Sequence, residues 1–267
     1  MINFNSNASS GSSLLQQVQD KQTNLFEKLA SGKKINGAAD GAAAQQIIDR
    51  LTSQIEGNRQ AISNVYDGIS LTQIAEGGLE GISNDTSRIR ELTLQAGNGI
   101  LSDVDRQAIQ EEITQLQGNI SQTIEQTTFA GQPLLSNDGN ISLQAGADAG
   151  QYIGITTNDV AGNLSGLLSI DITSGDIASA LDATDAAIDA IGGYRAEFGA
   201  AQNILAGTIS NLTESDINSN AARSRIQDLD YAQAVSENIA NNVLGQAATS
   251  VQAQANQQQG QVIALLN

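Results

Sequence analysis

Apolar side chains recur three and four residues apart over long stretches of this chain. Between Ile48 and Leu92 they fall at Ile48, Leu51, Ile55, Ile62, Val65, Ile69, Leu79, Ile82, Ile89 and Leu92. That spacing keeps the large side chains on one stripe of a helix and predicts a coiled-coil or bundle seam over roughly Gln45 to Ala96. At a rise of about 1.5 Å per residue such a helix would be about 75 Å long, longer than a globular domain of this size requires. Gly97, Asn98 and Gly99 end it. Ser102, with Asp105 three residues on, resembles a capping box and predicts a second helix with the seam Ile109, Ile113, Leu116, Ile120 and Ile124. This helix stops before Phe129 and Gly131. The single proline, Pro133, leaves long stretches on both sides without the strongest helix breaker.

The next stretch is polar and rich in glycine. Alternation in Ile141-Ser142-Leu143 and in Tyr152-Ile153-Gly154-Ile155, with Asn137-Asp138-Gly139 as a turn signal, predicts a small β-hairpin region at about 130–175 whose strands lie on the helices. From about Asp176 the helical period returns in Leu181, Ile188, Ile191, Phe198, Leu205, Ile209 and Leu212. Beyond Arg225 the pattern thins, and the first forty residues share that character, with Leu14, Leu15, Val18, Leu25, Phe26 and Leu29 set among Ser, Asn and Gln. Two weak arms thus flank a stronger middle. Alone, each arm buries too little apolar surface to offset its ordering entropy, so order is expected to come from contact with neighbouring copies. The fold expected is mainly α: a long antiparallel helical bundle or coiled coil with a small hairpin region and paired N- and C-terminal helices. The expected domains are 1–44 with 225–267, and 45–224.

Composition sharpens this picture. Aromatic residues make up 3% of 267 residues and Trp is absent, which argues against a thick compact core. The formal charge of -17 would repel a phosphate backbone and an anionic membrane alike, so neither nucleic acid nor membrane is an expected partner. No run of 18 apolar residues occurs, and Met1 to Gly11 shows neither a basic nor an apolar signal segment. With no Cys and no His, thiol nucleophiles, imidazole bases and most zinc sites are missing, so neither catalysis nor a cofactor is expected. Acid pairs such as Asp103/Asp105, Glu111/Glu112 and Asp228/Asp230 read as solvated faces, and Gly146-Ala147-Asp148-Ala149-Gly150 as a turn rather than a phosphate loop. All four lysines, Lys21, Lys28, Lys33 and Lys34, lie in the first forty residues, whereas 226–267 holds three acids and no base. The arms can therefore approach each other without strong repulsion. Gly57, Gly68, Gly77, Gly78 and Gly81 inside the first long helix each cost about 1 kcal/mol relative to Ala, and read as sites of close helix approach or of local compliance.

Several blocks resemble one family. Leu29-Ala30-Ser31-Gly32-Lys33-Lys34-Ile35-Asn36, Asp67-Gly68-Ile69-Ser70, Arg88-Ile89-Arg90-Glu91-Leu92 and Phe129-Ala130-Gly131 occur in the first half. Ala222-Arg223-Ser224-Arg225-Ile226-Gln227-Asp228, Asp230-Tyr231-Ala232 and Ala253-Gln254-Ala255-Asn256 occur near the end, before a Leu-Leu tail. Their order resembles a bacterial flagellin, in a minimal form without large outer domains. The resemblance implies a structural subunit that polymerises with itself into the extracellular flagellar filament for swimming. It also implies export as an unfolded chain through the flagellar type III apparatus, a chaperone on residues 226–267, and hook-associated and cap proteins as partners. The terminal arms would form the inner core of the filament, with Leu25, Leu29, Val251, Val262, Leu265 and Leu266 as assembly and tail-recognition positions. Arg88, Leu92 and Glu112 match the family's motif for vertebrate Toll-like receptor binding. Read from the residues, Arg88 and Leu92 share one helix face with Glu112 on the next helix, and a contact with a neighbouring subunit is their native role. A hook-filament junction protein and a secreted binding module are the rival readings.

Overall fold

The computed structural model describes the backbone of residues 5–174 and 176–266 and the side chains of 13–174, 176–258 and 261. Two compact units emerge, one from residues 1–53 with 218–267 and one from 54–217. The helices are α1 (Asn5–Ser31), α2 (Ala38–Ala96), α3 (Asp103–Gln126), α4 (Val160–Asn163), α5 (Ser165–Leu168), α6 (Ile177–Gln227) and α7 (Tyr231–Leu266). The strands are β1 (Thr128–Phe129), β2 (Gln132–Pro133), β3 (Gly139–Gln144) and β4 (Tyr152–Thr157). The mainly helical architecture with a small antiparallel region is the one the periodicity predicts.

The larger unit is built on one side of α2. One buried stripe runs Ile55, Asn58, Ala61, Val65, Gly68, Thr72, Ala75, Leu79, Ile82, Thr86, Ile89, Thr93 and Ala96, three or four residues apart, with Leu71 and Leu92 buried beside it. Between Ile69 and Leu79 the stripe continues through Thr72 and Ala75. Each buried threonine returns its hydroxyl to its own helix: Thr72 Oγ1 donates to the Ile69 carbonyl at 2.8 Å, Thr86 to Ile82 at 2.7 Å and Thr93 to Ile89 at 2.8 Å. A hydroxyl bonded in this way is buried without an unmet donor. Facing the seam are Ile109, Ile113, Ile120 and Ile124 of α3 and Ala180, Ala187, Ile191, Phe198 and Leu205 of α6.

The capping box forms as expected: Ser102 Oγ accepts the Asp105 N–H at 3.3 Å, and Asp105 Oδ2 accepts the Ser102 N–H at 3.0 Å. The first long helix begins earlier than expected, at Ala38. Gly41, with φ 165° and ψ 95°, separates a first short turn from the long run.

The hairpin region differs from expectation in three ways. Ala130 (φ 50°) and Gly131 (φ 81°) form a two-residue turn between β1 and β2 that the alternation did not announce. Two consecutive positive φ values match the turn geometry that suits tight hairpins. Next, Asn137-Asp138-Gly139 leads into β3 instead of joining the strands. β3 and β4 pair from Gly139↔Thr157 to Gln144↔Tyr152, so residues 145–151 form the loop and the Gly146–Gly150 segment is the turn. Finally, the return segment is not simple hairpin. Val160, Leu164, Leu167, Ile170 and Ile172 join the core through α4, α5 and the chain that follows. Two glutamines of α3 hold that segment: the Gln110 side chain donates to the Ile170 carbonyl at 3.1 Å and accepts the Ile172 N–H at 2.8 Å, while Gln117 donates to the Leu167 carbonyl at 2.9 Å.

The glycines of α2 divide by their surroundings. A Cβ on Gly57 would meet Ala147 Cβ at 2.7 Å and its Cα at 3.0 Å, and one on Gly78 would meet Thr127 Oγ1 at 2.6 Å. Gly77 and Gly81 have nothing within 4 Å. Close approach therefore accounts for the first pair and not for the second. In urea titrations of the monomer, Gly57→Ala is expected to lose about 1–3 kcal/mol because no rotamer change relieves contact with backbone. Gly77→Ala is expected to gain about 0.5–1 kcal/mol through lower chain entropy in the unfolded state. Equal effects at the two positions would contradict this division.

Candidate assembly surfaces

Opposite charges fasten α2 to both neighbours in the larger unit. On one flank Arg88 Nη2 lies 2.9 Å from Glu112 Oε1 of α3, and its Nη1 lies 3.0 Å from Glu91 Oε2. The Glu112 hydrogen bond, followed by that of Glu91, raises the Arg88 pKa and keeps the guanidinium charged. On the other flank Arg90 Nε lies 2.6 Å from Asp185 Oδ1 of α6, and Arg195 Nε of α6 lies 2.8 Å from Glu76 Oε1. The hydrogen bond from Arg90 holds the Asp185 carboxyl below its ordinary value of 3.8. The periodicity of apolar residues carries no trace of the Arg90 and Arg195 pairs. A search for opposite charges at the rims of facing seams would find them.

Arg88 and Glu112 are thus brought together as an ion pair, each side chain about half exposed. Leu92 is placed differently, with 2% of its surface exposed in the core beside Ile89. Arg88 and Leu92 do share a side of α2. The covering helices reach over the short Leu92 side chain, while the long Arg88 side chain extends to the rim and keeps its head in water. Of these three residues, Arg88 and Glu112 present polar groups at the surface, beside the exposed Glu91, while Leu92 lies in the packed core.

In the smaller unit α1 and α7 pack together. α1 contributes Leu15, Val18, Gln22, Leu25 and Leu29, three and four apart and at least half-buried. α7 answers with Ala234, Asn238, Asn241, Gly245, Ala248, Gln252 and Ala255, again in strict alternation of four and three. These α7 residues are small or polar, so the seam is close but thinly apolar. Val18 Cγ1 lies 3.5 Å from where a Cβ on Gly245 would stand. The Tyr231 hydroxyl donates to the Leu29 carbonyl at 2.8 Å, and Gln22 Nε2 donates to Asn242 Oδ1. At the junction Gly32, with φ 70°, ends α1, the Lys34 N–H donates to the Gln227 carbonyl at 2.6 Å and the Leu229 N–H to the Gly32 carbonyl at 3.0 Å.

The large aliphatics of α7 among the described residues point away from this pairing. Val235, Ile239 and Val243, each four residues apart, are 45%, 60% and 60% exposed, and Leu244 and Val251 are also exposed. On α1 the same holds for Leu14 and Phe26. Of the expected arm positions, Leu25 is buried, Leu29 is half-buried in the pairing and Val251 is exposed. The side chains of Val262, Leu265 and Leu266 lie outside the described residues. On α7 the described small and polar residues turn inward and the large aliphatics outward, which leaves an apolar surface arranged for further packing.

Sequence comparison decides what that surface belongs to. The profile of the bacterial flagellin N-terminal helical region matches residues 2–140, and that of the bacterial flagellin C-terminal helical region matches residues 181–266. The chain belongs to the bacterial flagellins. A flagellin of Halalkalibacterium halodurans is 40% identical over 245 residues, covering 90% of each chain. The flagellin of Bacillus subtilis is 38% identical over 277 residues, covering 90% of this chain and 91% of its own. The flagellar filament 31.3 kDa core protein of Treponema maltophilum is 34% identical over 284 residues, covering 100% of this chain and 99% of its own. This flagellin is accordingly a structural subunit of the extracellular flagellar filament, a helical polymer that serves motility. Among the described residues no helix is long and apolar enough to cross a membrane.

The ion pairs on α2 give a pH test. A carboxyl whose pKa is lower in the folded chain than in the unfolded one adds stability above its unfolded value, and that stability is lost as pH falls through the folded value. Because Arg90 depresses Asp185, acid unfolding of the monomer is expected to be less steep in Asp185→Asn than in the parent below the ordinary carboxyl value of 3.8. Superimposable acid transitions would show that the pair adds nothing.

Proposed function

We propose that the arms, 1–44 with 225–267, form the inner core of the filament and drive polymerisation, while 45–224 forms the layer outside it. The observation that carries this reading is the outward stripe Val235, Ile239 and Val243 on a helix whose inward seam is small and polar. Leu25 and Leu29 act from within the helix pair and Val251 from its exposed face, and Val262, Leu265 and Leu266 are further assembly and tail-recognition positions. Heterologous contacts that do not close on themselves propagate a filament. On the larger unit Arg88 and Glu112, with Leu92 packed below, meet a neighbouring subunit. The same group makes the free chain a ligand for a vertebrate Toll-like receptor.

Weakly packed arms also suit passage through a narrow export route, and the chain leaves the cell unfolded through the flagellar type III apparatus. Before export a chaperone covers residues 226–267, hiding the exposed aliphatics from premature contact. Hook-associated and cap proteins meet the growing polymer at its ends. These partners follow from the flagellin family, and the exposed arm surface supports a need for them.

Seeded polymerisation followed by electron microscopy tests the central part. The full chain is expected to grow filaments. Ile239→Ser together with Val243→Ser is expected to keep the melting of the larger unit and to raise the critical concentration by roughly tenfold or more, as removal of central apolar anchors does elsewhere. Chains lacking 1–44 and 225–267 are expected to stay monomeric. Filaments from the trimmed chain would overturn the proposal.

A further inference from the structure

The sequence holds two Asn-Gly steps, Asn36-Gly37 and Asn98-Gly99. Without a Cβ on the second residue, its main-chain nitrogen has unusual freedom to swing onto the carbon of the asparagine side-chain amide. Whether it does so depends on the local fold. We propose that Asn98 is a site of spontaneous covalent modification, converting through a succinimide to aspartate and isoaspartate at the corner between α2 and α3.

The geometry at Asn98 favours attack. The Ile100 N–H donates to Asn98 Oδ1 at 3.3 Å. This folds the side chain forward over the Gly99 peptide and draws electron density from the amide carbon. The Gly99 N–H donates to no acceptor among the described residues. Apart from its own chain neighbours, nothing lies within 4 Å of where a Gly99 Cβ would stand, and both residues are exposed, so water and base have access. The Gly37 N–H likewise donates to no acceptor among the described residues and its Cβ position is open, so Asn36 differs in how its side chain and flanking backbone are held. Its N–H donates to Asp40 Oδ2 at 2.9 Å, and the Gly37 carbonyl accepts the Asp40 N–H at 3.1 Å. These two bonds tie the dipeptide to the first turn of α2 beside a carboxylate. With Lys28 3.7 Å from the same carboxylate, what sets Asn36 apart is that these backbone bonds fix its flanks, and among the described residues no hydrogen bond folds its side chain over the Gly37 peptide.

In the reaction the Gly99 nitrogen bonds to Asn98 Cγ and gives its proton to solvent base. The Cγ–Nδ2 bond breaks, and the side-chain nitrogen takes up a proton and leaves as ammonia. Water then opens the ring at one of its two carbonyls. Cleavage of the new Cγ–N bond restores the normal backbone with an aspartate. Cleavage of the original bond routes the backbone through Cγ as isoaspartate. Nothing is oxidised or reduced. Either product adds a negative charge to the corner. Isoaspartate also lengthens the main chain by one carbon where the Leu101 N–H now donates to the Asn98 carbonyl at 3.1 Å, just before the Ser102 cap. Ile100, 90% exposed, is carried on the altered segment.

Peptide mass spectrometry of the full chain after incubation in mildly alkaline buffer tests this, with isoaspartate methyltransferase labelling to separate the products. The peptide containing Asn98 is expected to gain the amide-to-acid mass shift well before that containing Asn36. In urea, where the fold is gone, the two rates are expected to converge. Gly99→Ala, at a position with room for a methyl group and no positive φ, is expected to abolish conversion at Asn98 and leave Asn36 unchanged. The proposal is overturned if Asn98 in the folded chain converts no faster than Asn36, or no faster than asparagines without a following glycine.

Discussion

One continuous seam on α2, from Ile55 to Ala96, is the constraint on which the larger unit depends. A helix of this length can be held straight against two partners only if every turn contributes to the same side. Large aliphatics at every such position would leave too little room for two close neighbours and the hairpin region. The chain solves this by interleaving isoleucine and leucine with alanine, glycine and threonine. Threonine is tolerated there because its hydroxyl bonds to the preceding turn. Gly57 and Gly78 admit Ala147 and Thr127 to within contact of the helix backbone.

The smaller unit follows the opposite logic. Its seam on α7 is built of Ala, Asn, Gly and Gln, so α1 supplies the buried aliphatics Val18 and Leu25 almost alone, and the described large aliphatics of α7 face outward. In a monomer that arrangement is poorly stabilised, because ordering entropy is set against few buried groups. In the proposed assembly, neighbours in the polymer cover the same outward stripe, and stability of the arms and growth of the filament become one process. A subunit of this kind can remain loosely packed until it reaches its place.

Much of this was legible in the residues. The long helices, the Ser102 cap and the paired arms follow from spacing and a few polar residues, because long periodic segments overwhelm local ambiguity. Thr72, Thr86 and Thr93 escaped notice as core residues because polarity hides a side chain that satisfies itself. Val160, Leu164 and Leu167 were obscured by the glycines around them, which suggest a loop. The turn at Ala130 and Gly131 depends on a positive φ at alanine, which no residue preference announces. Among the site residues, Arg88 and Glu112 could be paired from sequence. The burial of Leu92 follows from its place in the predicted seam beside Ile89, whereas the Arg90–Asp185 and Arg195–Glu76 pairs leave no mark on the apolar spacing.

Hydrogen exchange measured residue by residue on the monomer and on the polymer tests the central claim most directly. The account predicts that amides of α2, α3 and α6 around the Ile55 to Ala96 seam are strongly protected in both states. It predicts that amides of α1 and α7 exchange quickly in the monomer and become protected only in the polymer, since local stability follows buried contact. Equal, strong protection of α1 and α7 in the monomer would contradict it, because the arms would then be stable without neighbours.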